Sequence, residues 1–221
     1  MRVVFNGLQA GNLSGTGRYV AALAQHLAAQ TDIDLTVLWP KHLPVPDWHV
    51  SFIPVSARAP VCRLWHDQVT ARNHGFDVIH YPATVGPLLS TPNAVITIHD
   101  LDFMRDTAWH RRSRTSYYTF AMRRSASLAR RIIADSTATA DDVHRMLGVP
   151  VDLIDVIPLG VGEEFQPASQ EAQTAVRPRY SLPRTFFLFV GTLEPRKNLV
   201  RLIHAYSKIA DRCPQDLVIA G

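Results

Sequence analysis

The chain has 221 residues, 47% of them hydrophobic and 19% charged, with a formal net charge of +4. This is the composition of an ordinary globular protein; it excludes a low-complexity chain, and the mild basicity does not by itself indicate nucleic acid. No apolar run approaches the ~20 residues of a membrane-spanning helix.

At ~100–200 residues per domain, the length suits one full domain and part of another. The two cysteines, Cys62 and Cys213, lack metal-type or C-x-x-C spacing and read as reduced, buried thiols of a cytoplasmic protein.

Residues 2–5 read as a short apolar strand, with a loop over 6–14. The strand starts at once, without a basic region and long apolar core, so no leader is expected. In residues 15–30, Val20, Leu23, Ala24, Leu27 and Ala28 recur at helical spacing. Gly15 and Gly17 would let backbone N–H groups approach a bulky group such as phosphate. A tight turn that starts a helix is the plain alternative. A dinucleotide fingerprint is rejected, because Val20 replaces its third glycine and the preceding loop is too long.

Further strands are expected at 35–39, 50–55, 77–81 and 94–98, with a helix over 58–73. This alternation predicts an α/β fold, a doubly wound parallel sheet with helices on both faces. The continuous apolar run at 94–98 suits a central parallel strand and ends at His99-Asp100. Ligands of doubly wound sheets bind beyond the carboxyl ends of such strands, so His99 and Asp100 are candidate catalytic residues. Asp100 would orient His99 or bind a ligand hydroxyl; a satisfied loop histidine is the alternative. His80 also ends a strand and ranks lower.

Residues 101–107 are expected to be a loop of the kind that shapes acceptor sites. A basic helix over 109–130 carries Arg123 and Arg124, with Tyr117, Phe120, Ala121 and Leu128 on its inner side. Its basic face is either solvated or in contact with anionic lipid or a phosphorylated acceptor. A strand at 131–134 precedes Asp135-Ser136-Thr137 and a helix over 138–147, for which Ser136 is a natural N-cap. Residues 149–159 read as the last strand of the first domain. Residues 171–184 are polar, hold Pro178 and Pro183, lack sustained periodicity and read as a linker.

Residues 185–205, TFFLFVGTLEPRKNLVRLIHA, carry the most specific signal. A buried strand at 186–190 leads through Gly191-Thr192 into a helix that opens near Pro195 and runs to 210. Arg196 and Lys197 would then lie in a helical first turn, with its unsatisfied N–H groups and positive dipole end. Two cations there make an anion site, and phosphate is the usual anion. Two solvated charges on a surface helix are the alternative. A strand at 217–220 follows.

At these residues the chain resembles the retaining glycosyltransferases of family four (group 1): G-T-L-E-P-R-K-N after an apolar strand is similar to their donor-binding segment. The resemblance implies the GT-B architecture, two Rossmann-like domains facing across a cleft. Residues 1–167 would form the acceptor-side domain, 168–184 the linker, and 185–221 the first β-α-β unit of the donor domain. By the same resemblance, Arg196 and Lys197 hold the diphosphate of a nucleotide-sugar, beside the turn Gly191-Thr192. The loop with Gly15 and Gly17 faces the donor phosphates, His99 lies near the transferred sugar, and Ser136 lines the cleft. The turn at 158–162 resembles the family's P-N-G-V-D segment, but Leu159 and Gly162 replace its polar residues and leave it a structural role.

The implied activity is retaining transfer of a sugar from a nucleotide-diphospho-sugar to a glycan or lipid-linked acceptor. Mannose from a GDP donor is a common use of similar sequences. No cofactor beyond that co-substrate is expected, and no metal: Asp100-Leu101-Asp102 is read as a chance D-x-D, because the phosphate cations already do a metal's job. The expected location is cytoplasmic, with peripheral contact at the inner membrane face. One β-α-β unit of the second domain buries little, and the paired glutamates E-x(7)-E of the family do not follow. The expectation is therefore a fragment with little or no transferase activity, whose first domain folds alone. Two other readings are a non-catalytic binding module and a GT-B epimerase or phosphorylase.

Overall fold

The computed structural model describes residues 1–56, 75–83, 86–105 and 112–221, with the backbone only at 112–115. The helix expected over 58–73, with Cys62, and the first residues of the basic helix lie outside the described residues. The chain divides into two compact units, Met1–Leu159 and Gly160–Gly221.

The first unit is a seven-stranded sheet of β1 (Arg2–Asn6), β2 (Asp34–Pro40), β3 (Ser51–Val55), β4 (Val78–Tyr81), β5 (Ala94–Ile98), β6 (Arg131–Ala134) and β7 (Ile154–Val156). The order is β3-β2-β1-β4-β5-β6-β7. Every pairing is parallel. The order reverses between β1 and β4, which is the switch point of a doubly wound sheet. Successive side chains of a strand face opposite ways, and the core follows that alternation. Val3 and Phe5 of β1 join Leu35, Val37 and Trp39 of β2 under Val20 and Ala24 of helix α1 (Gly15–Ala28). Val4 and Leu38 belong to a second cluster with Ile96, Ile98, Met122 and Val143. Both faces of the sheet are thus buried, as the apolar run at 94–98 requires.

The loop expected at 101–107 holds a helical turn, α2 (Asp102–Arg105). The Asp100 carboxylate accepts from the Asp102 N–H at 3.3 Å, which starts the turn. The Arg105 guanidinium donates to the buried Asp142 carboxylate, which also accepts from Arg145 at 2.8 Å. In the basic helix α3 (Arg112–Leu128), the buried stripe is Ala121, Met122, Ser125 and Ala126. Phe120, expected to face inward, is 64% exposed. It stands one residue, a rotation of ~100°, before the edge of that stripe. Helix α4 (Thr137–Leu147) ends at Gly148, whose φ of +72° is the left-handed cap geometry that favours glycine.

The expected strand over 149–159 is shorter. Pro150 opens a 3-10 turn at Val151–Leu153, and only Ile154–Val156 pairs with β6. The segment expected to be a linker carries helix α5 (Gln170–Arg179), started by the Ser169 hydroxyl, which accepts from Ala172 N–H at 3.2 Å. Pro178 lies in its last turn, so it does not prevent the helix.

The second unit pairs β8 (Phe186–Val190) with β9 (Asp216–Ala220) in parallel, and includes α6 (Leu199–Ser207). The helix expected from Pro195 to 210 breaks into a 3-10 turn at Pro195–Lys197, α6, and a 3-10 turn at Ala210–Arg212. Asn198, at φ +53°, separates the first two. The expected burial of β8 is also corrected. Phe187 and Leu188 are successive residues facing opposite ways, and both are about half exposed. A two-stranded ribbon has too few strands to bury both faces of its sheet. Cys213 is only half-buried and donates to the Gln215 amide oxygen at 2.9 Å. Among the described residues no helix is long and apolar enough to cross a membrane.

Candidate active site

In a parallel sheet, the register decides which loop residues become neighbours. Ile98 of β5 pairs with Ala134 of β6, so the residues that follow, His99 and Asp135, emerge side by side. Both nitrogens of the His99 ring face an oxygen atom. Nδ1 lies 2.9 Å from Asp135 Oδ2, and Nε2 lies 3.3 Å from the Pro82 carbonyl oxygen beyond β4. The Tyr19 ring from α1 packs against it edge-on, with centroids 4.8 Å apart. Thr139 Oγ1 donates to the His99 carbonyl at 3.0 Å. The position expected from the sequence is therefore a built one, at the carboxyl edge of the sheet.

Beneath it runs a polar chain. Tyr19 Oη lies 3.2 Å from Thr97 Oγ1, which lies 2.9 Å from His80 Nε2. Burial pushes the Tyr19 phenol above its ordinary value and the His80 imidazole down to about 4. His80 therefore stays neutral across the physiological range, as a hydrogen-bonding core group rather than a proton carrier. The Phe5 ring closes its other side, edge-on at 5.4 Å.

The remaining candidates of this unit fall as follows. Asp100 starts α2, and the carboxylate that holds the His99 ring is Asp135. Ser136 caps α4: its hydroxyl accepts from Thr139 N–H at 3.1 Å and lies 2.9 Å from Thr139 Oγ1. Ser136→Ala is expected to cost about 1 kcal/mol of stability and leave ligand affinity unchanged, measured by urea denaturation and titration calorimetry. A loss of affinity at unchanged stability would reverse that assignment. Gly15 has open space where a side chain would stand. At Gly17 that space is filled by the chain itself: an added Cβ would lie 1.8 Å from the Asn12 carbonyl oxygen. The room Gly17 leaves thus serves the turn before α1, and Gly15 has room for a ligand.

In the second unit, Gly191 ends β8 and donates its N–H to Ala220 at 2.9 Å. The Thr192 carbonyl accepts from Glu194 N–H at 2.9 Å. Arg196 Nε donates to Glu194 Oε2 at 2.7 Å, and both side chains are partly exposed. That bond, with further help from Thr192 and Lys197, holds the Glu194 carboxyl below its ordinary value. Glu194 thus neutralises part of the Arg196 charge. A guanidinium has five N–H donors, so a pair on Nε does not by itself exhaust it. Arg196 and Lys197 lie in the 3-10 turn before α6, not in an α-helical first turn.

Asp135, Tyr19 and Glu194 escaped the sequence reading. Asp135 follows β6 as His99 follows β5, and adjacent parallel strands bring such residues together; that was the available signal. Among the described residues, no group of three or more His, Cys, Asp or Glu is arranged to hold a metal ion. An open depression of about 360 Å³, lined by Asp34, Trp48 and Ser51 among others, lies where β2 and β3 begin, the opposite edge of the sheet from His99.

Comparison with known proteins decides the family. The sequence profile of Glycosyltransferase Family 4 matches residues 13–165. The chain belongs to this family. The O-antigen chain mannosyltransferase B of Escherichia coli is 26% identical over 235 residues, covering 95% of this chain and 61% of that protein. The serotype-specific mannosyltransferase WbdA of Escherichia coli is 38% identical over 78 residues, 34% of this chain and 10% of that protein. Among solved structures, the Anabaena HepE protein in complex with UDP-glucose matches with a TM-score of 0.69 at 17% identity, covering 99% of this chain and 60% of that one. WaaG, a glycosyltransferase involved in lipopolysaccharide biosynthesis, matches with a TM-score of 0.71 at 14% identity, covering 98% of this chain and 62% of that one. The fold is the Rossmann-like α/β fold of the GT-B family members. The chain spans about 60% of the length of mannosyltransferase B, the HepE protein and WaaG.

Proposed function

We propose that this chain serves the transfer of a mannosyl residue from a nucleotide-diphospho-sugar to a glycan or lipid-linked acceptor, with retention of configuration. The observation that carries the reading is family membership over residues 13–165. Mannose is supported by the relatives named as mannosyltransferases, and a nucleotide-sugar donor by the matching fold seen in complex with UDP-glucose.

In this reading Arg196 and Lys197 bind the diphosphate and offset the charge that develops on it as the glycosidic bond breaks. Fixed charges aimed at developing charge are the largest single source of catalysis in many enzymes. Gly15, in the first unit, leaves room for a ligand at the start of α1. His99 meets the sugar. Its Nε2 is the side a ligand hydroxyl takes over, since it meets only the Pro82 carbonyl oxygen at 3.3 Å while Nδ1 is held by Asp135 at 2.9 Å. Peripheral contact with an anionic membrane belongs to the same reading, supported by Phe120, exposed on the basic helix α3.

Titration calorimetry with GDP-mannose, UDP-glucose and free mannose tests this. The expected result is binding of GDP-mannose, weaker binding of UDP-glucose and none of mannose alone. Absence of binding by both nucleotide-sugars would contradict the reading for this chain.

A further inference from the structure

We propose that Asp135 is the positioning residue of His99, fixing which ring nitrogen carries hydrogen and which way the ring faces. What His99 then does for the sugar rests on the function proposed above; the clamp itself rests on the structure alone.

Three groups hold the ring, each from a different element. Asp135, the first residue after β6, takes Nδ1 at 2.9 Å. The Pro82 carbonyl, just after β4, faces Nε2 at 3.3 Å. Tyr19 of α1 closes one side, and its own hydroxyl is anchored to Thr97. His99 and Asp135 are both largely buried, their side chains 16% and 13% exposed. An ionised carboxylate only accepts, so the hydrogen of that bond sits on Nδ1; the Pro82 carbonyl only accepts too, so with the ring hydrogen on Nδ1 its 3.3 Å approach to Nε2 is a contact, and Nε2 keeps a lone pair for a ligand hydroxyl. A carboxylate on one ring nitrogen sets the orientation of the other, which is how histidines are aimed at a reacting group. The longer Pro82 contact is on the side to be exchanged for a ligand, and the shorter Asp135 bond is the one that stays. Asp135 does not serve as the N-cap of α4, a task Ser136 performs, so the plain capping explanation does not account for it.

The test is nitrogen-resolved NMR of the full chain labelled with ¹⁵N-histidine, with His99→Gln to assign its signals. In the parent, His99 Nδ1 is expected to carry hydrogen. In Asp135→Asn, whose amide can donate, that hydrogen is expected to move to Nε2. Asp135→Glu keeps an acceptor and is expected to retain the Nδ1 hydrogen, which covers the case in which the asparagine variant fails to fold. Identical Nδ1 signals in the parent and Asp135→Asn overturn the proposal. In a mannosyl-transfer assay, kcat of Asp135→Asn is expected to fall about 100-fold with KM little changed, the cost of a misplaced group. An unchanged kcat beside a moved hydrogen also overturns the positioning role. If the parent transfers no sugar, as expected of a chain spanning about 60% of its relatives' length, the NMR comparison alone decides the clamp, and donor binding decides the proposed function.

Discussion

Gly17→Ala is expected to destabilise the first unit by about 3 kcal/mol, and Gly15→Ala by no more than about 0.5 kcal/mol. The two glycines look alike in the sequence, and their surroundings separate them. An added Cβ at Gly17 meets the Asn12 carbonyl oxygen at 1.8 Å and the Gln9 carbonyl oxygen at 2.9 Å, whereas at Gly15 it meets nothing within 4 Å. Both contacts at Gly17 are backbone, so no rotamer change relieves them. The loop cannot easily withdraw either. Gly7 donates to Leu38 O, Ala10 to Gly7 O and Asn12 to Gln9 O, each at 2.9 Å, and Ser14 N–H donates to Asn12 Oδ1 at 3.0 Å. Urea denaturation followed by circular dichroism measures both variants. If Gly17→Ala proves as stable as the parent, the loop yields freely and the packing account of Gly17 is wrong. The proposed function adds a second expectation: Gly15→Ala, though stable, weakens GDP-mannose binding.

Acid is expected to remove about 3 kcal/mol of stability through His80 alone between pH 7 and pH 4. The folded-state imidazole is lowered from 6.5 to about 4 by burial. Between those values the unfolded chain binds a proton that the folded chain refuses, so stability falls as pH falls. A shift of this size is worth about 3 kcal/mol, fully present above the unfolded value and lost as pH drops toward the folded one. His80→Gln keeps a side chain that can reach Thr97 Oγ1 and has no titration in this window. Denaturation of both proteins at pH 7, 5.5 and 4.5 isolates the effect. The parent should lose stability more steeply than the variant. Parallel curves would show that His80 takes up its proton without leaving its site.

The strands were the most legible part of the sequence. Residues 94–98, 131–134 and 186–190 were expected at the bounds observed, because short β-branched and aromatic runs between turn residues leave little ambiguity. Helix ends were less legible. The break at Asn198 depends on one residue at positive φ, and the helix at Gln170–Arg179 depends on the Ser169 cap rather than on a periodic apolar face. At the site, position was legible but partnership was not. His99 could be placed at the end of a central strand. Its partner could not, because Asp100 is adjacent in sequence while Asp135 is adjacent only through the β5–β6 register. Glu194 was hidden in the same way inside the G-T-L-E-P-R-K-N motif. Its charge was read as part of a signature, whereas in the structure it is the counter-ion of Arg196.

Under the proposed function, Arg196 and Lys197 hold a nucleotide diphosphate. The most direct measurement is calorimetric titration of GDP-mannose into the parent and into the Arg196→Ala/Lys197→Ala variant. Charge-assisted bonds to phosphate contribute about 1.5–3 kcal/mol each. Losing both is expected to weaken binding at least about 100-fold, with the melting temperature little changed because both side chains are exposed. Affinity retained in the double variant would contradict the account and place the diphosphate elsewhere.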